Sequence, residues 1–191
     1  MSDKRTDIVR SALTLFIGKG IHAVGINEVI SEASVAKKTL YHHFASKDEV
    51  VLAALEYRDQ RFMHWLDAHM QQATAQLSLC AIFTALDEWF NNNALLLGPF
   101  RGCFFINASV EFKDVNHPIN ISCAAHKNRV FERVLQETQV LCHTNDQAIE
   151  LARTLCLLKE GAITTALVQG NPAAAKEIMP VAVELIKRAA K

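Results

Sequence analysis

The chain has 191 residues, 20 basic against 20 acidic, and half of it is apolar. The apolar share is enough for a packed core and excludes a disordered chain, while zero net charge excludes a generic polyanion binder. No apolar stretch approaches the roughly eighteen residues of a membrane helix. Five cysteines (Cys80, Cys103, Cys123, Cys142, Cys156) lack a CxxC pair, so free thiols are expected rather than a disulfide framework or a metal site.

Nearly every segment carries the helical period and strand-like alternation is scarce, which makes the expected fold all-α with about nine helices. Met1-Ser2-Asp3-Lys4-Arg5 contains no apolar signal core, from which a cytoplasmic protein is expected. The first helix is predicted from about Asp3 to Lys19, with Ile8, Ala12, Leu15 and Phe16 on one face. Gly20 stands where a left-handed cap belongs. A short helix follows over 26–33, with Ile26, Val29, Ile30 and Ala33 inward. The turn Ser34-Val35-Ala36 leads to a third helix over 37–43. Three short helices joined by tight turns suit a helix-turn-helix module. Ser46-Lys47-Asp48-Glu49 has the form of a capping box and starts a helix to about Gln72, with Val51, Leu55, Phe62, Trp65 and Leu66 at its apolar positions. At 1.5 Å per residue it spans about 38 Å. Further helices are predicted over 77–91, over 103–112 after Gly98-Pro99, and over 118–138 from Pro118. Thr144 and Gln147 start another, to 168, and Asn171-Pro172 cap the last. Two domains are expected: residues 1–46 as the helix-turn-helix and residues 47–191 as a helical domain, to which the resemblance described below assigns ligand binding and dimerisation.

Between Ser34 and Lys47 stand three lysines, two histidines and no acidic residue. That stripe fits a small DNA-contacting surface or a solvated helix face, and charge by itself leaves both open. The pattern of residue types decides more. Arg5, Ile8, Ala12, Leu15-Phe16, Gly20, Val29, Ala33, Val35, Lys37 and the run Thr39-Leu40-Tyr41-His42-His43-Phe44-Ala45-Ser46-Lys47 resemble the DNA-binding signature of the TetR family, about a quarter of the chain. The resemblance implies a repressor that binds palindromic double-stranded operator DNA as a homodimer and is released by a small-molecule effector. Lys37, Lys38 and Thr39 would then occupy the first turn of the recognition helix, where lysine can reach guanine and threonine a base or thymine methyl. The resemblance gives Tyr41 and Lys47 to phosphates, with helix N-termini adding backbone donors. One of the paired histidines, His42, would meet the DNA backbone, while His43 packs inside. Leu40 and Phe44, four residues apart, hold the helix to its neighbours. Three positions depart from the pattern: Ser34 replaces a usual glycine, Gly25 a usual serine or threonine cap, and Lys38 an often smaller residue.

For the second domain, a broad apolar face on the helix from Thr144 (Ala148, Leu151, Ala152, Leu155, Cys156, Ala162, Ile163, Ala166) and another on the last helix (Ile178, Met179, Ala182, Leu185, Ile186, Ala189) suggest a four-helix dimer interface. The alternative is an ordinary monomer core. Aromatic residues are dense between Phe83 and Phe112, and an effector pocket is expected there, with Trp89, Phe90, Cys103, Phe104, Asn107 and Glu111 as candidate lining. Cys103, Asn107 and Glu111 fall at i, i+4 and i+8 of one helix. A structural reading stands beside this, with Cys103 in the core and Asn107 and Glu111 capping nearby backbone. The run Arg101 to Phe112 also looks like a segment of a subset of these regulators, some of which sense electrophiles through a thiol. Cys103 is therefore a candidate trigger. An enzyme using Cys103 with His117 or His126 is the competing class, and a helical adaptor is another. No Gly-rich phosphate loop, HExxH or GxSxG is present, so no catalytic residue, cofactor, metal or membrane partner is expected.

Overall fold

The computed structural model describes residues 3–190, and Met1, Ser2 and Lys191 lie outside the described residues. These residues form an all-α fold of nine helices: α1 (Lys4–Lys19), α2 (Ile26–Glu32), α3 (Lys37–His43), α4 (Lys47–Met70), α5 (Ala75–Phe90), α6 (Phe104–Glu111), α7 (Pro118–Leu141), α8 (Asn145–Val168) and α9 (Ala174–Ala189). No helix among them is long and apolar enough to cross a membrane. The chain divides into two compact units. One takes the chain up to Gln60 together with Cys103–His126, and the other takes Arg61–Gly102 together with the chain from Lys127 onward. The units therefore divide α4 and α7, and α6 belongs with α1 to α3.

The helix ends follow from the caps. Ser46 Oγ accepts the Glu49 N–H at 3.2 Å, while the Glu49 carboxylate reaches back to the Ala45 N–H at 2.7 Å, one residue earlier than the usual box. Thr144 Oγ1 accepts the Gln147 N–H at 3.2 Å. Helix α5 starts two residues before the expected Leu77, because Thr74 Oγ1 caps the Leu77 N–H. Cys103 is the N-cap of α6 rather than its first residue. Ahead of α9, Asn171 Oδ1 accepts the Ala173 N–H at 3.0 Å, and the helix runs on through Pro180. Gly20 has the positive φ expected of it, +89°, but its ψ of 153° is extended rather than left-handed helical.

The first unit is built on α1, whose Ile8, Ala12 and Phe16 are fully or almost fully buried with Val29 of α2, Leu40 of α3 and Val50, Val51 and Leu55 of α4. In the second unit α5, α8 and α9 pack on one another. Lys159 of α8 is only 2% exposed and shares the Glu160 carboxylate with Lys127, whose Nζ is 2.8 Å from both oxygens. The apolar face expected to carry dimerisation is divided: Ala148, Leu151, Ala152, Leu155, Ala162, Ile163 and Ala166 of α8, and Ala182 and Ile186 of α9, are buried within the chain itself, whereas Cys156 of α8 and Ile178, Met179, Leu185 and Ala189 of α9 are half-buried. The period fixes which residues share a face, but not what covers it. The exposed apolar residues of these helices are Leu157, Leu167, Val168 and Val181.

Candidate nucleic-acid interface

Helix α3 has seven residues, too few to be stable alone, so tertiary anchoring must hold it. Leu40 (0% exposed) and Phe44 (3% exposed) supply that anchor, and the Arg5 guanidinium of α1 lies 5.2 Å from the centre of the Phe44 ring. The turn before α3 is a Schellman motif: the Val35 N–H reaches the Ile30 carbonyl and the Ser34 N–H that of Ser31, with Ser34 left-handed at φ +51°. With its inner side fixed, α3 presents Lys37, Lys38, Tyr41 and His42 to solvent, while Thr39 and His43 are half-buried. The Lys37 ammonium lies 6.0 Å from the Tyr41 ring centre. Among the candidate residues, the first four thus share an exposed face of α3.

Lys47, in the first turn of α4, is half-buried, and its Nζ donates to the Ile21 carbonyl at 2.6 Å. The same loop between α1 and α2 engages Glu111. One carboxylate oxygen accepts the Ile21 N–H at 2.8 Å, the other accepts the His22 N–H at 2.6 Å and faces the His22 ring at 3.2 Å. Glu111 was expected to line an effector pocket. Its carboxylate is instead taken up by backbone of the first unit, which is the capping alternative. Sequence reasoning missed Ile21 and His22, which are 90 and 89 residues from Glu111. No local pattern announces such a pairing.

The remaining pocket candidates separate. Cys103 and Phe104 are buried and Asn107 half-buried in the first unit. Trp89 and Phe90 are buried in the second unit, in a cluster of rings: Trp89 is 5.0 Å from Phe100 and 6.0 Å from both Phe62 and Trp65, and Phe90 is 4.8 Å from Phe100. The two histidines of the enzyme alternative have their own partners. The His126 ring stacks on Phe105 at 3.5 Å and its Nδ1 is 2.6 Å from Asp59. His117 accepts the Ile119 N–H and lies 3.6 Å from Asp48.

Comparison with known proteins agrees with this geometry. Residues 8–54 match the family described as bacterial regulatory proteins, tetR family. A solved TetR-family transcriptional regulator from Streptomyces coelicolor, SCO4454, covers the whole chain and 91% of its own length, with a TM-score of 0.87 and 26% identity. The TetC protein of transposon Tn10 from Escherichia coli is 35% identical over 144 residues, 73% of this chain and 69% of that protein. The chain belongs to the TetR family. A further relative of this regulator, the HTH-type transcriptional repressor KstR2 of Mycolicibacterium smegmatis, is 33% identical over 92 residues, 46% of this chain and 43% of KstR2. The regulator spans less than half the length of other curated relatives such as YerO and YxaF of Bacillus subtilis. As a TetR-family member it is a DNA-binding transcriptional regulator.

Proposed function

We propose that the chain is a cytoplasmic repressor that binds a palindromic operator as a homodimer and lets go when a small molecule binds. The observation that carries this reading is the outer face of α3, where Lys37, Lys38, Tyr41 and His42 are exposed on a helix anchored by Leu40 and Phe44. Lys37, Lys38 and Thr39 read bases, and Tyr41, His42 and Lys47 hold phosphates. By role, residues 1–46 form the reading domain and residues 47–191 the ligand and dimer domain. Dimerisation uses the exposed side of α8 and α9, where Leu157 and Val181 are solvent-facing and a Cβ on Gly161 would meet nothing within 4 Å. That leaves room for a partner helix to approach closely. KstR2 is named as a repressor, which supports repression here.

The effector site is the ring cluster around Trp89 and Phe90 of the second unit, suited to an apolar molecule. Phe104 and Asn107 of α6, with Cys103 at its N-cap, belong to the segment that responds, and the Glu111 carboxylate is held by the Ile21 and His22 N–H groups. Cys103 is 5% exposed, and burial argues for non-covalent sensing over a thiol trigger. Selection of duplexes from a random-sequence pool, followed by binding measurements across a salt series, tests the reading. A selected palindrome bound with a steep salt slope is expected. Recovery of no preferred sequence would refute it.

A further inference from the structure

We infer that Glu111 positions Lys47 for its DNA phosphate, acting through a single peptide group. The inference rests on the reading of Lys47 as a phosphate ligand. The Ile21–His22 peptide lies between a cation and an anion: its carbonyl accepts from Lys47 Nζ at 2.6 Å, and its N–H donates to Glu111 Oε2 at 2.6 Å. The two charges meet opposite ends of one peptide dipole, each at the favourable end. A carboxylate drawing on the N–H enriches the carbonyl oxygen, and hydrogen bonds coupled in this way strengthen one another by about 10–30% each.

The second carboxylate oxygen, on the Ile21 N–H at 2.8 Å, fixes the orientation of the first. Two successive N–H groups around one anion form a nest, and Gly20 permits it. Gly20 sits at φ +89°, and a Cβ there would come within 3.3 Å of Glu111 Oε1. The arrangement continues into the first turn of α4: Phe112 packs its ring 4.9 Å from His22 and 4.8 Å from His117, which in turn lies 3.6 Å from Asp48. The residue that follows Lys47 is therefore held to the same end of α6.

An ammonium has three N–H donors, and the Ile21 carbonyl uses one. Two remain for a phosphate, on a side chain whose rotamers are already restricted before DNA arrives. A lysine ordered in advance loses less freedom on binding than one that is free. Glu111 is thus a positioning residue. It touches no DNA and acts only through Lys47.

A double-mutant cycle on a duplex selected by the protein itself separates this role from a structural one. Lys47→Met should weaken binding about three- to tenfold and lower the salt slope by about one per half-site. Glu111→Gln, with Lys47 intact, should shift affinity and slope in the same direction. In the Lys47→Met background, Glu111→Gln should change affinity by less than about twofold, since the residue it acts through is gone. Equal losses in both backgrounds, or a loss with an unaltered salt slope, would overturn the inference while leaving Lys47 as a phosphate ligand. An unchanged Lys47→Met would overturn that reading and the inference with it. Should the glutamine variant be unfolded by circular dichroism, the same cycle is run with Glu111→Asp, which keeps the charge and shortens its reach.

Discussion

Ser34 carries the one backbone strain in the turn that aims α3. A serine at φ +51° in a Schellman motif does a job that glycine does without a steric penalty, at a cost of about 1 kcal/mol. Ser34→Gly should raise stability by about 0.5–1 kcal/mol in a urea titration, since relief of the strain outweighs the added freedom of the unfolded chain. An unchanged or lower midpoint would show that the Ser34 side chain contributes something the hydrogen bonds do not record. The neighbouring residues have different proposed roles on DNA. Tyr41→Phe should weaken all duplexes by a similar factor, because a phosphate contact positions without specifying. Lys38→Ala should change the order of preference among single-base variants of the selected duplex, by about 1–3 kcal/mol at the affected position. Binding of the two variants to a small panel of such duplexes decides it, and reversed behaviour would exchange the two roles.

At the scale of helices, α8 is organised around a charge that ordinary packing would leave outside. Lys159 is buried, and Glu160 is its counter-charge, shared with Lys127. Burial alone would push the Glu160 carboxyl up, but the two ammonium groups outweigh it and hold the carboxyl below its ordinary value of 4.5. A depressed carboxyl stabilises the fold fully above that ordinary value and loses the contribution as pH falls through the depressed one. Glu160→Gln leaves Lys159 buried without its counter-charge and should cost about 3 kcal/mol at neutral pH. The gap between parent and variant should close as the pH drops below 4.5. A gap that is independent of pH would mean the glutamate matters for packing alone. Such helices were legible from sequence wherever a side chain caps an end, as at Ser46 and Thr144, because capping is a local bond. At α5 the cap Thr74 has Leu77 where Ser46 and Thr144 have Glu49 and Gln147, and the start was placed two residues late. The face of α8 was not legible, since Ala148, Leu155 and Ile163 look alike whether a neighbour in the same chain covers them or a partner does. For the site, exposure of Lys38 and Tyr41 followed from the spacing of Leu40 and Phe44. Glu111 did not, because its partners lie in a distant loop.

For the whole molecule, the proposed palindrome needs two copies acting together, and the exposed side of α8 and α9 is where the proposed contact lies. Leu157→Asp places a charge at the centre of the proposed contact. Light scattering at micromolar concentration should show a monomer with its helices intact by circular dichroism. Affinity for the palindrome should fall about 100-fold or more, because the two half-sites no longer share one ligand. A variant that stays dimeric would move the interface elsewhere. The ring cluster of the second unit also determines what fluorescence can see. The chain has two tryptophans, Trp65 and Trp89, and both lie in that cluster, buried from water. Intrinsic tryptophan emission therefore reports on one unit alone and is blind to the part that carries α3, whereas far-ultraviolet dichroism weighs every helix. Helices α4 and α7 contribute residues to both units, so loss of one unit should fray the other. The emission shift and the loss of ellipticity should then fall on a single curve in denaturant. Adding effector should change the emission directly, which makes the unmodified protein its own optical probe for screening candidate inducers.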